Sequence, residues 1–408
     1  MPRHLFPAAR RRSWPLGDAD ARYTLIISAV TAGVALGLWR NARPEQGVAP
    51  QAWLPAHGAP APRLSVIVPL RNEVANVAGC IGGLLAQSYP NCEIVAVDDQ
   101  STDGTGAALA RPAARDTRLR VVSGAPLPPG WTGKNWALQQ GLAAADPQAE
   151  WILTLDADMR LEPDALAAAV IYAQQAGADM LTLLPRLELG SFWEKVLVPH
   201  AGELYSLLVG VMSQVNDPGS QVASANGQFI LLRRSVYEAV GGQAAVRGEV
   251  AEDWALAHRV KRAGYRLVMA QGSAILRARV YAGLGELWAG FSKTLFPAAG
   301  RSIPRVVLTI LALTGYGVVP PIRLALAARA LRRSRGRDDG AGRRVRLGLI
   351  QVVPMLGLRG VLARYLGLPP GYALTYPLAI LLGDGMLIWS AWRYLSGQGL
   401  AWKGRTYD

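Results

Sequence analysis

Cysteine and histidine are scarce: the 408-residue chain holds two cysteines, Cys80 and Cys92, and four histidines. Neither cysteine sits in a Cys-x-x-Cys or Cys/His spacing, so a disulfide framework and a structural zinc site are excluded, and a reducing compartment is the natural setting. A GxxxxGK[ST] loop and a GxGxxG fingerprint are absent, which sets aside P-loop and dinucleotide-binding readings. Internal repeats are absent too. Acidic residues are few, with 29 Asp and Glu against 43 Lys and Arg, a formal charge of +14.

That excess is unevenly placed. Residues 1–43 carry seven arginines against Asp18 and Asp20, and residues 323–346 carry nine against Asp338 and Asp339, leaving only +2 for the rest of the chain. Both basic blocks abut apolar runs, as juxtamembrane segments facing anionic headgroups do, so the charge points to a membrane and not to nucleic acid.

Four apolar segments follow from this reading: an anchor over 24–39, then 306–322, 347–366 and 372–392. The last is the best span, with Asp384 its single acid. A signal peptide with Arg10, Arg11 and Arg12 as its basic end competes for the first segment, but no clean small-x-small cleavage site follows. Buried core helices are the bland alternative for all four. Pro320 and Pro321 would end or kink a helix, and residues 323–346 read as an arginine-rich loop. If the 64–300 region meets cytoplasmic substrates, a single span over 306–322 puts that loop outside, against the positive-inside rule; a re-entrant or interfacial segment ending at the prolines removes the conflict.

After a linker over 44–63, short apolar runs alternate with helix-period segments from 64 to 300, the βαβ signature of an α/β sheet covered by helices on both faces. Strands are expected at Leu64–Leu70, Glu93–Val97, Arg120–Val122 and Trp151–Leu155. The second runs into Asp98-Asp99 and the fourth into Asp156-Ala157-Asp158, and in open α/β sheets ligands bind where strands end. An Asp-x-Asp there puts two carboxylates within reach of one hard cation bridging to a diphosphate. Solvated aspartate pairs are common at loop starts, and Asp98–Thr105 also reads as a turn that caps the next helix. Gly130–Ala137 opens a helix with Lys134 at its start, suited to phosphate, and the acids Glu252 and Asp253 precede a helix closed by Gly264, where they serve equally as dipole partners. Residues 191–221 read as apolar and loop-rich, a cover for a lipid acceptor or plain packing, with His200 and His258 as surface or capped histidines.

Taken in order, SVIVPLRNE, VDDQSTDGT, GKNWA, DAD and AED resemble a family 2 glycosyltransferase of the GT-A fold, a Rossmann-like mixed sheet, here with N- and C-terminal membrane helices. PLPPGWTGKNWA, GELWAGFSK and the final WKGRTY are similar, more narrowly, to membrane-associated bacterial glycosyltransferases of hopanoid or carotenoid biosynthesis. The resemblance implies inverting, metal-dependent transfer from a nucleotide-diphosphate sugar, a UDP-sugar first, with Mn²⁺ or Mg²⁺, to a hydroxyl of a membrane lipid or isoprenoid. It further implies an inner-membrane location with the catalytic domain facing the cytoplasm. Pro69, Asn72 and Glu73 would line the nucleotide edge, Asp99 would meet the base, Lys134 would stand near base or phosphate, and Asp156 would face ribose or metal. Asp158 is the main metal ligand on this carry-over, Asp253 the general base and Glu252 its support.

The Gln-x-x-Arg-Trp signature of processive synthases is missing, which argues against polymerisation; the nearest material is Leu287–Lys293, where Lys293 would take over the diphosphate contact or the segment simply rests on a membrane. Transfer to polyprenyl phosphate or a cell-envelope glycan is the near alternative. A nucleotidyltransferase and a non-catalytic scaffold are readings of other classes; an AED placed after the DAD favours glycosyl transfer.

Overall fold

The computed structural model describes residues 18–41, 47–53, 60–397, 400–402 and 405–407. Arg3, Arg10, Arg11, Arg12 and Arg43, parts of the 44–63 linker, and Lys403 and Gly404 of the terminal motif lie outside the described residues. The chain divides into two compact units. One comprises Asn41–Val306 with Gly385–Asp408, the other the N-terminal segment up to Arg40 with Val307–Asp384.

After helix α1 (Ala19–Asn41), the elements run β1 (Leu64–Leu70), α2 (Val74–Leu85), β2 (Cys92–Asp98), α3 (Thr105–Ala113), β3 (Leu119–Ser123), α4 (Gly133–Ala144), β4 (Trp151–Leu155) and β5 (Met159–Leu161). There follow α5 (Ala165–Gln175), β6 (Met180–Leu184), β7 (Arg186–Leu187), α6 (Phe192–Val209), α7 (Met212–Asn216), β8 (Phe229–Arg233), α8 (Arg234–Ala239), α9 (Glu252–Arg262), β9 (Leu267–Gln271) and β10 (Leu276–Ala278). Seven strands form one sheet in the order β3-β2-β1-β4-β8-β6-β9, and a smaller sheet joins β5, β10 and β7. The first four strands are parallel, Ile67 of β1 lying against Val95 and Thr154. β8 runs antiparallel between β4 and β6.

The apolar runs are continuous because both sheet faces are covered. Alternate residues of one strand enter different cores: Val66, Val68, Ile94 and Ala96 face α2, α3 and α5, while Ile67, Val95 and Val97 face α4 and α9. Gly141 of α4 lies flat on Ile67 and Val97, where a Cβ would collide with their methyl groups. Pro69, which cannot donate to a ladder, sits beyond the last β1–β4 pair and so costs no strand hydrogen bond there.

After α10 (Leu284–Ala298) the chain continues as α11 (Ile303–Gly317), α12 (Val319–Arg333), α13 (Asp339–Tyr365) and α14 (Tyr376–Leu395), of which α12 and α13 lie wholly in the other unit while α11 and α14 run across its boundaries. Among the described residues, four helical stretches are long and apolar enough to cross a membrane: Ala19–Gly37, Ile303–Arg333, Asp339–Tyr365 and Pro370–Leu395. Polar side chains inside them are paired. Thr314 donates to Asp384 at 2.8 Å, and Gln351 donates to Thr24 at 2.7 Å.

Three expectations need correcting. Residues 323–346 are no loop: Pro320 and Pro321 begin α12, where a missing N–H costs nothing, the Ala, Leu and Arg content carries that helix to Arg333, and Asp338 caps α13 through Ala341 N at 2.9 Å. Residues 191–221 are mostly helical, because Ser191 and Glu194 form a reciprocal capping box that starts α6. His200 is not at the surface; it is buried in α6 with Nδ1 3.1 Å from Glu203.

Candidate functional site

The site is assembled where parallel strands end. The turn after β2 serves first as scaffold. Asn72 is held at φ 53° while Ser101 Oγ, Thr105 Oγ1 and Asp103 Oδ2 accept from the N–H groups of Asn72, Glu73 and Val74 at 2.8–3.0 Å. Asn72 returns the contact by accepting from Thr102 N at 2.9 Å, and Asp98 accepts from Ser101 N at 3.1 Å. The STDGT residues thus cap α2, and of the two acids leading the turn, Asp98 closes it while Asp99 is buried at the strand end, 1% exposed, its carbonyl accepting from Arg71. Glu73 accepts from Asn76 at 2.7 Å, and its charge reaches Asp158.

Beyond β4 the chain places Asp156 and Asp158 at the start of a tight turn into β5. The antiparallel partner β8 enters at the same edge, so Gln228 O receives Asp156 N at 3.1 Å and Gln228 Nε2 approaches Asp158 Oδ2 at 3.4 Å. On the other side, Thr132 caps α4 and Lys134, in its first turn, reaches across. Its Nζ lies 2.7 Å from Asp156 and 2.9 Å from Glu252, and 3.4 Å from Gly227 O. Glu252 and Asp253 stand in the first turn of α9, one turn earlier than the sequence places that helix. Asp253 Oδ2 accepts from Gly227 N at 2.8 Å and Oδ1 from Trp254 N at 2.9 Å. Sequence positions 134, 156, 158, 252 and 253 therefore meet around one ammonium group. Lys293 on α10 also acts electrostatically on Glu252, Asp156 and Asp253.

Burial sets the charges. It pushes the Asp253 carboxyl up to about 7, with the neighbouring Glu252 adding to the effect and Lys134 opposing it. Burial likewise raises Asp158 to about 7, reinforced by Asp156 and Glu73. For Lys134, burial works downward, yet Asp156 and Glu252 outweigh it and the ammonium is held firmly protonated.

Three contributors escaped the sequence reading. Asn135, fully buried beside Lys134, donates through Nδ2 to the carbonyls of Val246, Arg247 and Glu249, at 2.8, 3.1 and 3.1 Å, and so fixes the loop leading to the acids. Gly227 leaves little room for a side chain: a Cβ would stand 3.1 Å from both Asp253 Oδ2 and Lys134 Nζ, so those two groups would have to give way. Gln228 touches both strand-end aspartates. The available signal was the Asn-Gly-Gln turn directly before the apolar strand FILLR, which becomes informative only once β8 is known to pair with β4.

The aspartates suit a divalent cation. Asp158 Oδ1 is enclosed without a hydrogen-bond partner, an arrangement a hard cation satisfies. No group of three or more His, Cys, Asp or Glu converges among the described residues. Asp156 and Asp158 are the carboxylates placed to meet such an ion, and Mg²⁺ or Mn²⁺ held by one or two carboxylates keeps positions for substrate phosphates. Beside Asp253, Trp254, Tyr205, Phe291 and Tyr281 form a run of ring contacts with centroids 5.8, 6.2 and 5.4 Å apart.

Comparisons with known proteins bear on the family and the fold. The chain is 24% identical over 354 residues to the 4,4'-diaponeurosporenoate glycosyltransferase of Staphylococcus aureus strain MRSA252, covering 85% of this chain and 88% of that one, and matches the enzyme of strain USA300 equally. A mannosyltransferase of Pyrobaculum calidifontis, solved in complex with GDP-Man and Mn²⁺, shares the fold with a TM-score of 0.54 at 22% identity, over 92% of this chain and 99% of that one. Residues 61–294 match the model of the glycosyltransferase-like family 2. With more than half its length inside that match and a GT-A sheet carrying the acids at its strand ends, the chain belongs to the family 2 glycosyltransferases.

Proposed function

We propose that the enzyme transfers a sugar, with inversion, from a nucleotide-diphosphate sugar to a hydroxyl of a membrane lipid or isoprenoid of the carotenoid or hopanoid type. The observation that supports this most is the meeting of the strand-end pair Asp156/Asp158 with the helix-start pair Glu252/Asp253 across Lys134. The base half and the diphosphate half of a displacement are then within one side chain's reach.

Asp253 takes the proton from the acceptor hydroxyl as it attacks the anomeric carbon; a carboxylate poised near neutral pH suits that task. Glu252 keeps Lys134 turned toward the reacting region, and Lys134 spreads positive charge between Asp156 and the departing diphosphate. Asp158, with Asp156, would hold Mn²⁺ or Mg²⁺, which supplies charge neutralisation of the leaving group when bound. Pro69, Asn72, Glu73 and Asp99 border the nucleotide; the ties of Asn72 to Thr102 favour a positioning part for that side chain. The rings beside Asp253 offer an apolar wall to an isoprenoid acceptor, in keeping with the carotenoid pathway relative. We place the enzyme in the inner membrane with the 64–300 region in the cytoplasm, where nucleotide sugars are made.

Release of nucleotide diphosphate by detergent-purified enzyme tests the reading, with UDP- and GDP-sugars, Mn²⁺ or Mg²⁺, and with or without membrane-lipid extract. Lipid-stimulated release that Asp253→Asn abolishes is expected. Release that survives in Asp253→Asn favours an acceptor that is already an anion, such as polyprenyl phosphate, which needs no base.

A further inference from the structure

A cavity of about 300 Å³ lies within the second unit, between the first turn of α1 and the antiparallel pair α12 and α13. Asp20, Arg323, Arg344 and Gln351 supply its polar lining, and Leu326, Ala330 and Leu347 its apolar one. Arg323 is clamped by Asp20 and lies over the Tyr23 ring, 5.0 Å from its centroid. Arg344 is engaged only loosely, 3.9 Å from Asp338, with its side chain 49% exposed. Residues 18–24 and 319–351 together hold ten arginines against four aspartates, so the surroundings remain strongly positive after every ion pair is counted. The wall is apolar and open on one flank, because Leu326 is 61% exposed beside Ile322 at 52%. Free phosphate would find no use for that flank. A lipid needs both halves.

We propose that this cavity seats an anionic phospholipid, its phosphate held by Arg344 and Arg323 and an acyl chain leaving along Leu326 and Leu347. The volume suits a phosphoglycerol headgroup, and the helices around it are those long enough to cross a bilayer. Arginine pairs with phosphate through a planar fork, and basic pockets between membrane helices take such headgroups. The seat is separate from the transferase chemistry and ties α1 to the α12–α13 pair.

The full-length enzyme, extracted from vesicles of phosphatidylcholine mixed with phosphatidylglycerol, is examined by native mass spectrometry for retained lipid. Retention of phosphatidylglycerol over phosphatidylcholine is expected, weakened about fivefold by Arg344→Gln, the value of one arginine near a phosphate. Ala330→Phe, which fills the cavity without touching its charge, weakens it as well. Arg333→Gln, on the same helix but outside the lining, leaves it unchanged, and inorganic phosphate does not displace the lipid. Equal losses in Arg333→Gln and Arg344→Gln overturn the proposal in favour of diffuse surface charge. So does full retention in Ala330→Phe, or displacement by inorganic phosphate.

Discussion

Replacing Lys134 by methionine removes the ammonium that pairs with both Asp156 and Glu252 while keeping the volume of the stem. Its Nζ contacts are 2.7 and 2.9 Å, and the three side chains are 22%, 29% and 10% exposed, so these are mostly enclosed pairs. Breaking a buried pair from one side costs about 3–5 kcal/mol, since a charge is left uncompensated; residual solvent contact brings the figure to about 2–3 kcal/mol. In a domain of this size each kcal/mol moves Tm by about 2–4 °C, so a fall of about 4–12 °C is expected in a thermal melt of the detergent-purified enzyme. The sign with pH is fixed. Burial already raises the Asp156 carboxyl and Lys134 opposes that rise, so without the ammonium Asp156 takes up a proton more readily in the folded state and the gap between Lys134→Met and wild type narrows as pH falls from about 8 to about 5. Lys134→Arg, which keeps the charge, loses less. A gap under about 1 kcal/mol, or one that widens in acid, would refute the account of Lys134 as the charge that holds the two halves together.

Asp253→Asn is expected to lower transfer by about 10²–10⁴-fold while nucleotide binding, followed by titration calorimetry, is nearly unchanged. In wild type, kcat/KM is expected to fall as pH drops through about 7, because burial holds both Asp253 and Asp158 there and each acts ionised; Asp253→Asn makes that limb shallower by one proton, and a limb of undiminished slope removes this assignment. Asp158→Ala should abolish the Mn²⁺ dependence of nucleotide binding, and undiminished dependence would exclude Asp158 as the main ligand. Asn135→Leu removes the side-chain donor shared by the carbonyls of Val246, Arg247 and Glu249, of which the first two keep the N–H groups of Glu249 and Thr132, and is expected to cost about 1–3 kcal/mol, read as lowered Tm together with faster proteolysis near residues 246–249. Ser334→Cys reports sidedness against a low background, since Cys80 and Cys92 are buried; the positive-inside rule expects protection from an impermeant maleimide in intact cells, and labelling would put the α12–α13 turn outside.

Much of the catalytic unit is legible in the sequence because both faces of its sheet are buried. LSVIVPL and WILTL are uninterrupted apolar runs bounded by polar turns, and both occur as strands at the expected residues. The acids at strand ends follow from the same logic. Contacts made by the antiparallel strand β8 are not legible, since nothing in FILLR announces which neighbour it joins or in which direction. Gly227 and Gln228 become site residues only through that choice. The arginine-rich stretch misleads for another reason: clustered like charge and glycine suggest an open loop, whereas Arg and Ala are strong helix formers and the charges disperse around the turns of α12 and α13.

Lys134 and Asn135 are consecutive, and both reach the segment 246–252, one by charge and the other by three hydrogen bonds. The proposed base is consequently steered from the start of α4 and not from α9 alone. A substitution at the start of α4 would therefore disturb the loop before Asp253 as directly as one made in α9 itself.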